Sequence, residues 1–160
     1  PVLEVGCNLG LQLAFLRDLG FADLCGVEIQ RYAIERAREA DPGLRLVQAS
    51  AFHLPFADES FELVFTATVL VHVHPHDLPA VLREICRVSR RHVWGYEFFA
   101  ETCTEVLYRG HAQQLWKDDF AARYREAFPA FGAVRELRLN RLDAPGLVDA
   151  LFLLEKGRRP

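Results

Sequence analysis

Val2-Leu3-Glu4-Val5-Gly6-Cys7-Asn8-Leu9-Gly10-Leu11-Gln12-Leu13 begins as a short apolar run, turns through two glycines and an asparagine, and goes on with leucines at helical spacing. Val2 to Val5 has the length of a strand, whereas Leu11, Leu13, Ala14, Leu16 and Leu19 recur with the period of a helix. The order strand, glycine turn, helix opens an α/β unit. Glycine carries no Cβ and asparagine tolerates left-handed backbone better than most residues. The backbone from Gly6 through Cys7 and Asn8 to Gly10 can therefore approach a ligand closely at the carboxyl end of the strand.

Outward from this stretch the unit repeats. Gly20 closes the first helix, Leu24 to Val27 reads as a second strand, and Ile34, Ala37 and Arg38 belong to a helix that stops before Asp41-Pro42-Gly43. Leu44 to Ala49 is a third strand leading to a loop around Pro55, and Phe61 to Phe65 a fourth, apolar on both faces except for Glu62, as buried parallel strands are. Val81, Leu82, Ile85 and Val88 mark a helix before the strand His92 to Phe98. The last third reads as a helix from about Asp118 to Phe128, then strands Val134 to Leu142 and Leu151 to Glu155 about a Pro145-Gly146 turn. The expected fold class is α/β: a Rossmann-like open sheet, parallel for five strands, finished by an antiparallel C-terminal hairpin, with helices on both faces. No repeat, linker or low-complexity stretch interrupts it, so residues 1–160 read as one domain.

Composition excludes several classes. The 160 residues are 51% apolar and 26% charged, near the globular average, with net charge −3. That charge lacks the basic footprint of a protein that grips a phosphate backbone, so nucleic acid is not expected as a partner. Runs such as Leu151-Phe152-Leu153-Leu154 are far too short to span a bilayer. Cys7, Cys25, Cys86 and Cys103 are scattered without a CxxC pair and suit reduced thiols, which points to the cytoplasm. The opening Pro1-Val2-Leu3-Glu4 has no Met and no charged leader, and reads as a chain without a signal peptide that lacks its natural N-terminal segment.

Eighteen residues beyond Gly10, Glu28 ends the second strand, where an acid can accept hydrogen bonds from both hydroxyls of a ribose. Glycine turn and acid together imply a nucleoside-containing ligand. The dinucleotide pattern G-x-G-x-x-G would place glycine at Asn8 and Leu11, which disfavours a nicotinamide cofactor. His72, His74 and His76 alternate, but Pro75 and Pro79 break an extended run and argue for an irregular loop with a helix start near Asp77. No cysteine or paired carboxylate completes a ligand set, so no metal is expected. Tyr108-Arg109-Gly110-His111 is either a solvated loop or an acceptor-recognition cluster: Arg109 can fork onto a carboxylate or phosphate, Tyr108 can donate, and His111 can take up or release a proton. Glu97, at the carboxyl edge of its strand, is either a polar contact in the crevice or a cap on neighbouring backbone. Trp116 and Phe120 read as core on an amphipathic helix. Arg123, Arg125, Arg135, Arg138 and Arg141 read as solvated charge.

The first turn resembles the E-x-G-x-G-x-G motif of class I S-adenosylmethionine-dependent methyltransferases, with Asn8 in place of the middle glycine. Gln48-Ala49-Ser50-Ala51-Phe52-His53-Leu54-Pro55-Phe56 is similar to that family's G-D-A-x-x-L-P-F segment, and Ser60-Phe61-Glu62-Leu63-Val64 and Val69-Leu70-Val71-His72 to its S-F-D-x-V and V-L-x-H. The resemblance covers nearly the whole chain. It implies S-adenosylmethionine as cofactor, held by Glu4, Gly6, Cys7, Asn8, Gly10 and Glu28, with Ile29 and Ser50-Ala51-Phe52 at the adenine; Ser50 stands where the family usually has Asp. In the last half, Glu97-Phe98-Phe99, Tyr108-Arg109-Gly110-His111 and Lys117-Asp118-Asp119-Phe120-Ala121 resemble the methylases associated with pseudaminic acid biosynthesis. That narrower likeness implies an anionic nonulosonic sugar or glycan intermediate as the small-molecule acceptor, bound by Tyr108, Arg109 and His111. His111 or His72 would accept its proton, with Glu97 orienting one of them. The reading from a different class is a methyltransferase-like module that binds the donor or a partner chain without turnover, kept open by Asn8, Ser50 and the missing N-terminal lid.

Overall fold

The structure, a computed structural model, describes residues 1–141, 144 and 146–157. Its first half alternates strand and helix: β1 (Val2–Val5), α1 (Leu11–Asp18), β2 (Leu24–Glu28), α2 (Arg31–Ala40), β3 (Leu46–Gln48) and β4 (Phe61–Ala67). A 3₁₀ turn at Leu70–His72 precedes α3 (Leu78–Val88) and β5 (Ser89–Phe99). Two short strands, β6 (Thr104–Glu105) and β7 (Trp116–Lys117), lead to α4 (Phe120–Ala127), β8 (Phe131–Asn140) and β9 (Val148–Lys156).

Seven strands form one sheet in the order β3-β2-β1-β4-β5-β9-β8. The pairs from β3 to β5 are parallel, and β9 pairs antiparallel with both β5 and β8. Alternation along each strand sends side chains to two separate cores. Leu3, Val5, Cys25, Val27, Val64 and Val93 join Val81, Leu82 and Ile85 of α3 and Tyr124 of α4 on one face. Val2, Leu24, Phe65 and Trp94 point the other way and meet Leu13 of α1 and Ile34 and Ala37 of α2. The helices thus lie on both faces of the open sheet, as the βα pattern implies.

Several boundaries move. The third strand keeps only Leu46–Gln48 of the expected Leu44 to Ala49, because Leu44 packs against the glycine turn and Ser50 starts a tight turn with His53 N–H donating to Ser50 O at 3.0 Å. β5 starts at Ser89, not His92, since α3 passes into it without a loop. β9 starts at Val148, its added residues paired with Phe98 and Phe99 on β5. Of the expected last hairpin, Leu142 and Pro145 lie outside the described residues. Trp116 is buried as expected but sits on strand β7, not on a helix; Phe120 begins α4 in the core. Among the described residues no helix is long and apolar enough to cross a membrane. Cys7, Cys25 and Cys86 are buried, and Cys103 is exposed.

In the centre of the sheet Gly95 on β5 faces Phe152 on β9, and a Cβ at Gly95 would overlap the Phe152 ring. Phe152 is 1% exposed, so its ring has nowhere to move. Gly95→Ala should therefore lower stability by about 1–3 kcal/mol through overpacking. Urea unfolding should show a lower midpoint with an unchanged slope. A midpoint equal to wild type would mean that the ring is not confined.

Candidate functional site

At the end of β1 the chain turns through Gly6, Asn8 and Gly10, with φ of +77°, +47° and +73°. Gly6 and Cys7 N–H both donate to Val27 O, at 2.8 and 2.9 Å, and Gly10 N–H donates to Cys7 O at 2.7 Å. A Cβ on Gly6 would lie 2.5 Å from Val69 Cγ2, so glycine is required there by space as well as by φ. Asn8 does at +47° what the middle glycine of the resembled motif would do. Its amide donates to Glu28 Oε2 at 2.9 Å, while Gln30 N–H donates to Glu28 Oε1 at 2.9 Å. A carboxylate has about four acceptor positions, so two remain for ligand hydroxyls.

These groups form one side of a cleft of about 730 Å³ at the carboxyl edge of the sheet. Gly6, Cys7, Asn8, Glu28, Ile29, Ser50, Ala51 and Phe52 all line it. Ile29 and Phe52 are 61% and 49% exposed, apolar surface free to flank a flat base. Ser50 Oγ accepts from Phe52 N–H at 3.3 Å and keeps a second acceptor position. The cleft thus carries a carboxylate beside apolar walls. Glu4 and Gly10 are not on the wall. Gly10 packs on Leu44, and Glu4 lies behind the turn, 1% exposed, its Oε2 without a hydrogen-bond partner.

The opposite side comes from the segment after β4 and from a hairpin between β6 and β7. Thr68, Val69, His72 and Val73 line the cleft there, as do Tyr108 and Arg109. His72 Nδ1 is 2.8 Å from Gln114 O. A carbonyl only accepts, so Nδ1 carries the proton in the neutral ring and Nε2 keeps its lone pair. The His72 ring meets Tyr108 edge-on at 5.2 Å. Tyr108-Arg109-Gly110-His111 is a tight turn: Tyr108 and His111 exchange backbone hydrogen bonds at 3.0 and 2.9 Å, and Arg109 and Gly110 have φ of +51° and +83°. Two left-handed residues at the tip suit a two-residue hairpin. The turn puts Arg109 on the cleft wall, its guanidinium 5.2 Å from the Tyr108 ring, and leaves His111 exposed and off the wall.

The structure thus brings His72, Tyr108 and Arg109 to one wall of the cleft; His111 is bonded to Tyr108 through backbone but is off that wall, and Glu97 lies behind it. Glu97 is fully buried and accepts from backbone amides of residues 69–71, touching neither histidine. His74 stacks edge-on with Trp116 and His76 pairs with Asp77, so the three alternating histidines do not converge. Among the described residues no cluster of three or more His, Cys, Asp or Glu forms. Thr68 and Gln12 also line the cleft, and sequence reasoning did not single them out; Val69 entered that reasoning only as part of a family motif. Gln12 was readable as the polar residue in the first turn of α1. Thr68 was not, because its φ of +55° is foreign to a β-branched residue.

Burial pushes the Cys7 thiol to about 12 and the Glu4 carboxyl to about 8, the nearby Glu28 charge adding to the latter. The folded chain therefore holds the Glu4 proton more tightly than the unfolded chain. Its contribution to stability is complete below pH 4.5 and is lost as the pH rises through about 8. Glu4→Gln should flatten the fall in unfolding free energy between about pH 5 and 8 and leave the variant more stable than wild type at the upper end. Parallel stability curves for the two chains would refute this.

A family profile described as a methyltransferase domain matches residues 3–95. The chain is 37% identical over 110 residues to a probable phthiotriol/phenolphthiotriol dimycocerosates methyltransferase 2 of Mycobacterium ulcerans, covering 66% of this chain and 41% of that protein. It is 33% identical over 95 residues to methyltransferase GfsG of Streptomyces halstedii, covering 56% and 34%. The chain therefore spans well under half the length of these curated relatives. Among solved structures it shares its fold with 1,6-didemethyltoxoflavin-N1-methyltransferase of Burkholderia thailandensis, which was solved with 1,6-didemethyltoxoflavin and S-adenosylhomocysteine bound. The TM-score is 0.78 at 21% identity, over 98% of this chain and 71% of that one.

Proposed function

The chain belongs to the methyltransferase domain family, and from that membership we propose that it transfers a methyl group from S-adenosylmethionine to a small-molecule acceptor bearing a negative charge. The observation that carries the proposal is the division of one cleft into two chemically different walls. One offers Glu28, Ile29, Ser50 and Phe52; the other offers His72, Tyr108 and Arg109. When bound, S-adenosylmethionine supplies an electrophilic methyl group on a sulfonium centre. Glu28 accepts hydrogen bonds from ribose hydroxyls, Ile29 and Phe52 flank the base, and Ser50 accepts from its amino group. The glycine turn admits the ligand close to backbone.

On the acceptor wall, Arg109 holds an acidic group by its planar fork. Tyr108 donates from its hydroxyl. His72, with Nδ1–H fixed on Gln114 O, offers Nε2 to the proton of an acceptor hydroxyl. His111 is off this wall and is not needed for the step. The Mycobacterium ulcerans relative is named for phthiotriol and phenolphthiotriol dimycocerosates and not for a sugar. An anionic nonulosonic sugar is therefore supported by Arg109 and the hairpin residues alone. The rival reading, binding without turnover, rested in part on Asn8 and Ser50, and Asn8 takes the left-handed conformation that a glycine would.

Four substitutions test this. Glu28→Ala should weaken S-adenosylhomocysteine by about 2–3 kcal/mol in calorimetry, the loss of two charge-assisted hydrogen bonds. Unchanged affinity would end the ribose assignment. His72→Ala should lower kcat on a hydroxyl acceptor by about 10²–10⁴. His111→Ala should leave kcat near the wild-type value, and the opposite pattern would move the base to His111. Arg109→Ala should raise KM for a carboxylated sugar with S-adenosylhomocysteine affinity unchanged. Equal turnover by both chains would remove Arg109 from the acceptor site.

A further inference from the structure

We propose that Glu97 is a positioning residue: from behind the cleft it holds the backbone of residues 69–71 and thereby sets both the donor wall and the acceptor wall. The proposal rests on the methyl-transfer reading only for its functional consequence. Its structural content stands on the hydrogen bonds.

Glu97 is 0% exposed and lies near the end of β5, out of contact with the cleft. Its Oε1 accepts from Val69 and Leu70 N–H, each at 3.2 Å, and its Oε2 accepts from Val71 N–H at 3.3 Å. These three consecutive amides open the 3₁₀ turn Leu70–His72, where no preceding turn supplies acceptors. A buried carboxylate whose only role was to fill space would be replaced to advantage by an apolar side chain, because its desolvation is costly. Burial does push Glu97 up to about 7 in spite of the Thr66 hydroxyl and the three amides. The side chain is therefore kept in an unfavourable place, and what it does there is hold backbone.

That backbone is under tension. Thr68, immediately before the three amides, has φ +55°, a conformation that is strained for a β-branched residue unless its surroundings hold it. β5 holds it twice: Thr68 N–H donates to Tyr96 O at 2.7 Å, and the next residue along the strand is Glu97. The held segment has two products. Val69 fills the space that a Cβ on Gly6 would take, so its position sets the depth of the glycine turn on the donor side. His72 follows one residue after the last held amide and reaches Gln114 O on the hairpin side. One carboxylate thus registers the donor turn against the acceptor histidine without touching either.

The test compares wild type, Glu97→Gln and Glu97→Ala in three measurements. Amide hydrogen exchange without ligand should be at least about tenfold faster at Val69, Leu70 and Val71 in Glu97→Ala, as loss of a charged acceptor predicts. Calorimetry with S-adenosylhomocysteine should show affinity at least about tenfold weaker in Glu97→Ala and only about threefold weaker in Glu97→Gln, which keeps one acceptor oxygen. The ¹⁵N shifts of the His72 ring should show a fixed Nδ1–H tautomer in wild type and a mixture in Glu97→Ala, a signature that lost stability alone would not produce. Unchanged exchange at the three amides, or unchanged affinity and tautomer in a folded Glu97→Ala, overturns the proposal. If Glu97→Ala does not fold, Glu97→Gln carries the same three measurements, with wild-type values as the overturning result. If wild type itself fails to bind S-adenosylhomocysteine, the donor reading fails, and the exchange and tautomer measurements still decide the role of Glu97.

Discussion

Glu28 ties the end of β2 to the turn after β1 by accepting the Asn8 amide with one oxygen and the Gln30 amide with the other. The rest of the site depends on that tie because of where β1 lies. β1 sits between β2 and β4, so the chain leaves its carboxyl end toward β2 and β3 and returns on the other side at β4. Connections diverging from adjacent strand ends leave a crevice, the usual ligand position in open α/β sheets. Glu28 fixes one bank of it and the Gly6 approach to Val69 fixes the floor. A side chain at residue 6 would push Val69 away and separate the banks. The depth of the crevice is therefore governed by an atom that glycine lacks.

What was legible in the amino-acid sequence follows the range of the signal. The glycine turn, the helical spacing of Leu11 to Leu19 and the apolar strands are local, and they led to the right architecture and one wall of the cleft. Ser89 and Val148 were missed as strand starts because nothing in their own neighbourhood distinguishes them; β5 and β9 extend there by pairing across the sheet. Trp116 was placed on a helix because a two-residue strand has no periodicity to read. The polar cluster at Tyr108 to His111 was visible as composition, but which members face the cleft depends on two left-handed residues at its tip. The partners of Glu97 are backbone amides twenty-six to twenty-eight residues away, and side-chain identity carries no mark of them.

The acids of this chain divide by partner. Glu84 and Glu62 accept from Arg87 and Arg90, and those contacts hold both carboxyls below the ordinary range. Such groups add to stability above their unfolded pKa and lose that contribution as the pH falls. Glu4 and Glu97 have no cation and are pushed the other way by burial, so their contribution is lost as the pH rises. Both lie directly behind the cleft. Stability near neutral pH is thus lowered by the two carboxyls that border the site, a local cost of the kind expected where a sequence is constrained by function more than by packing.

Coupling between the two acceptor-side elements follows from how the hairpin is attached. β6 and β7 are two residues each and pair only with each other, which gives the hairpin little stability of its own. It is anchored by Leu115 and Trp116, both buried, and it meets the cleft wall at His72, whose Nδ1 meets the Gln114 carbonyl and whose ring meets the edge of Tyr108. The group proposed to accept the proton is thus also a strut for the residues proposed to recognise the acceptor. Removing the imidazole takes away both, so a His72 variant will mix effects on turnover with effects on acceptor affinity. Arg109, at the tip and free of such a role, separates the two. Gln114 offers the complementary probe through its backbone: shortening the hairpin there would leave the imidazole present but its tautomer unfixed, and any loss of rate at saturating acceptor would then report orientation of the base alone.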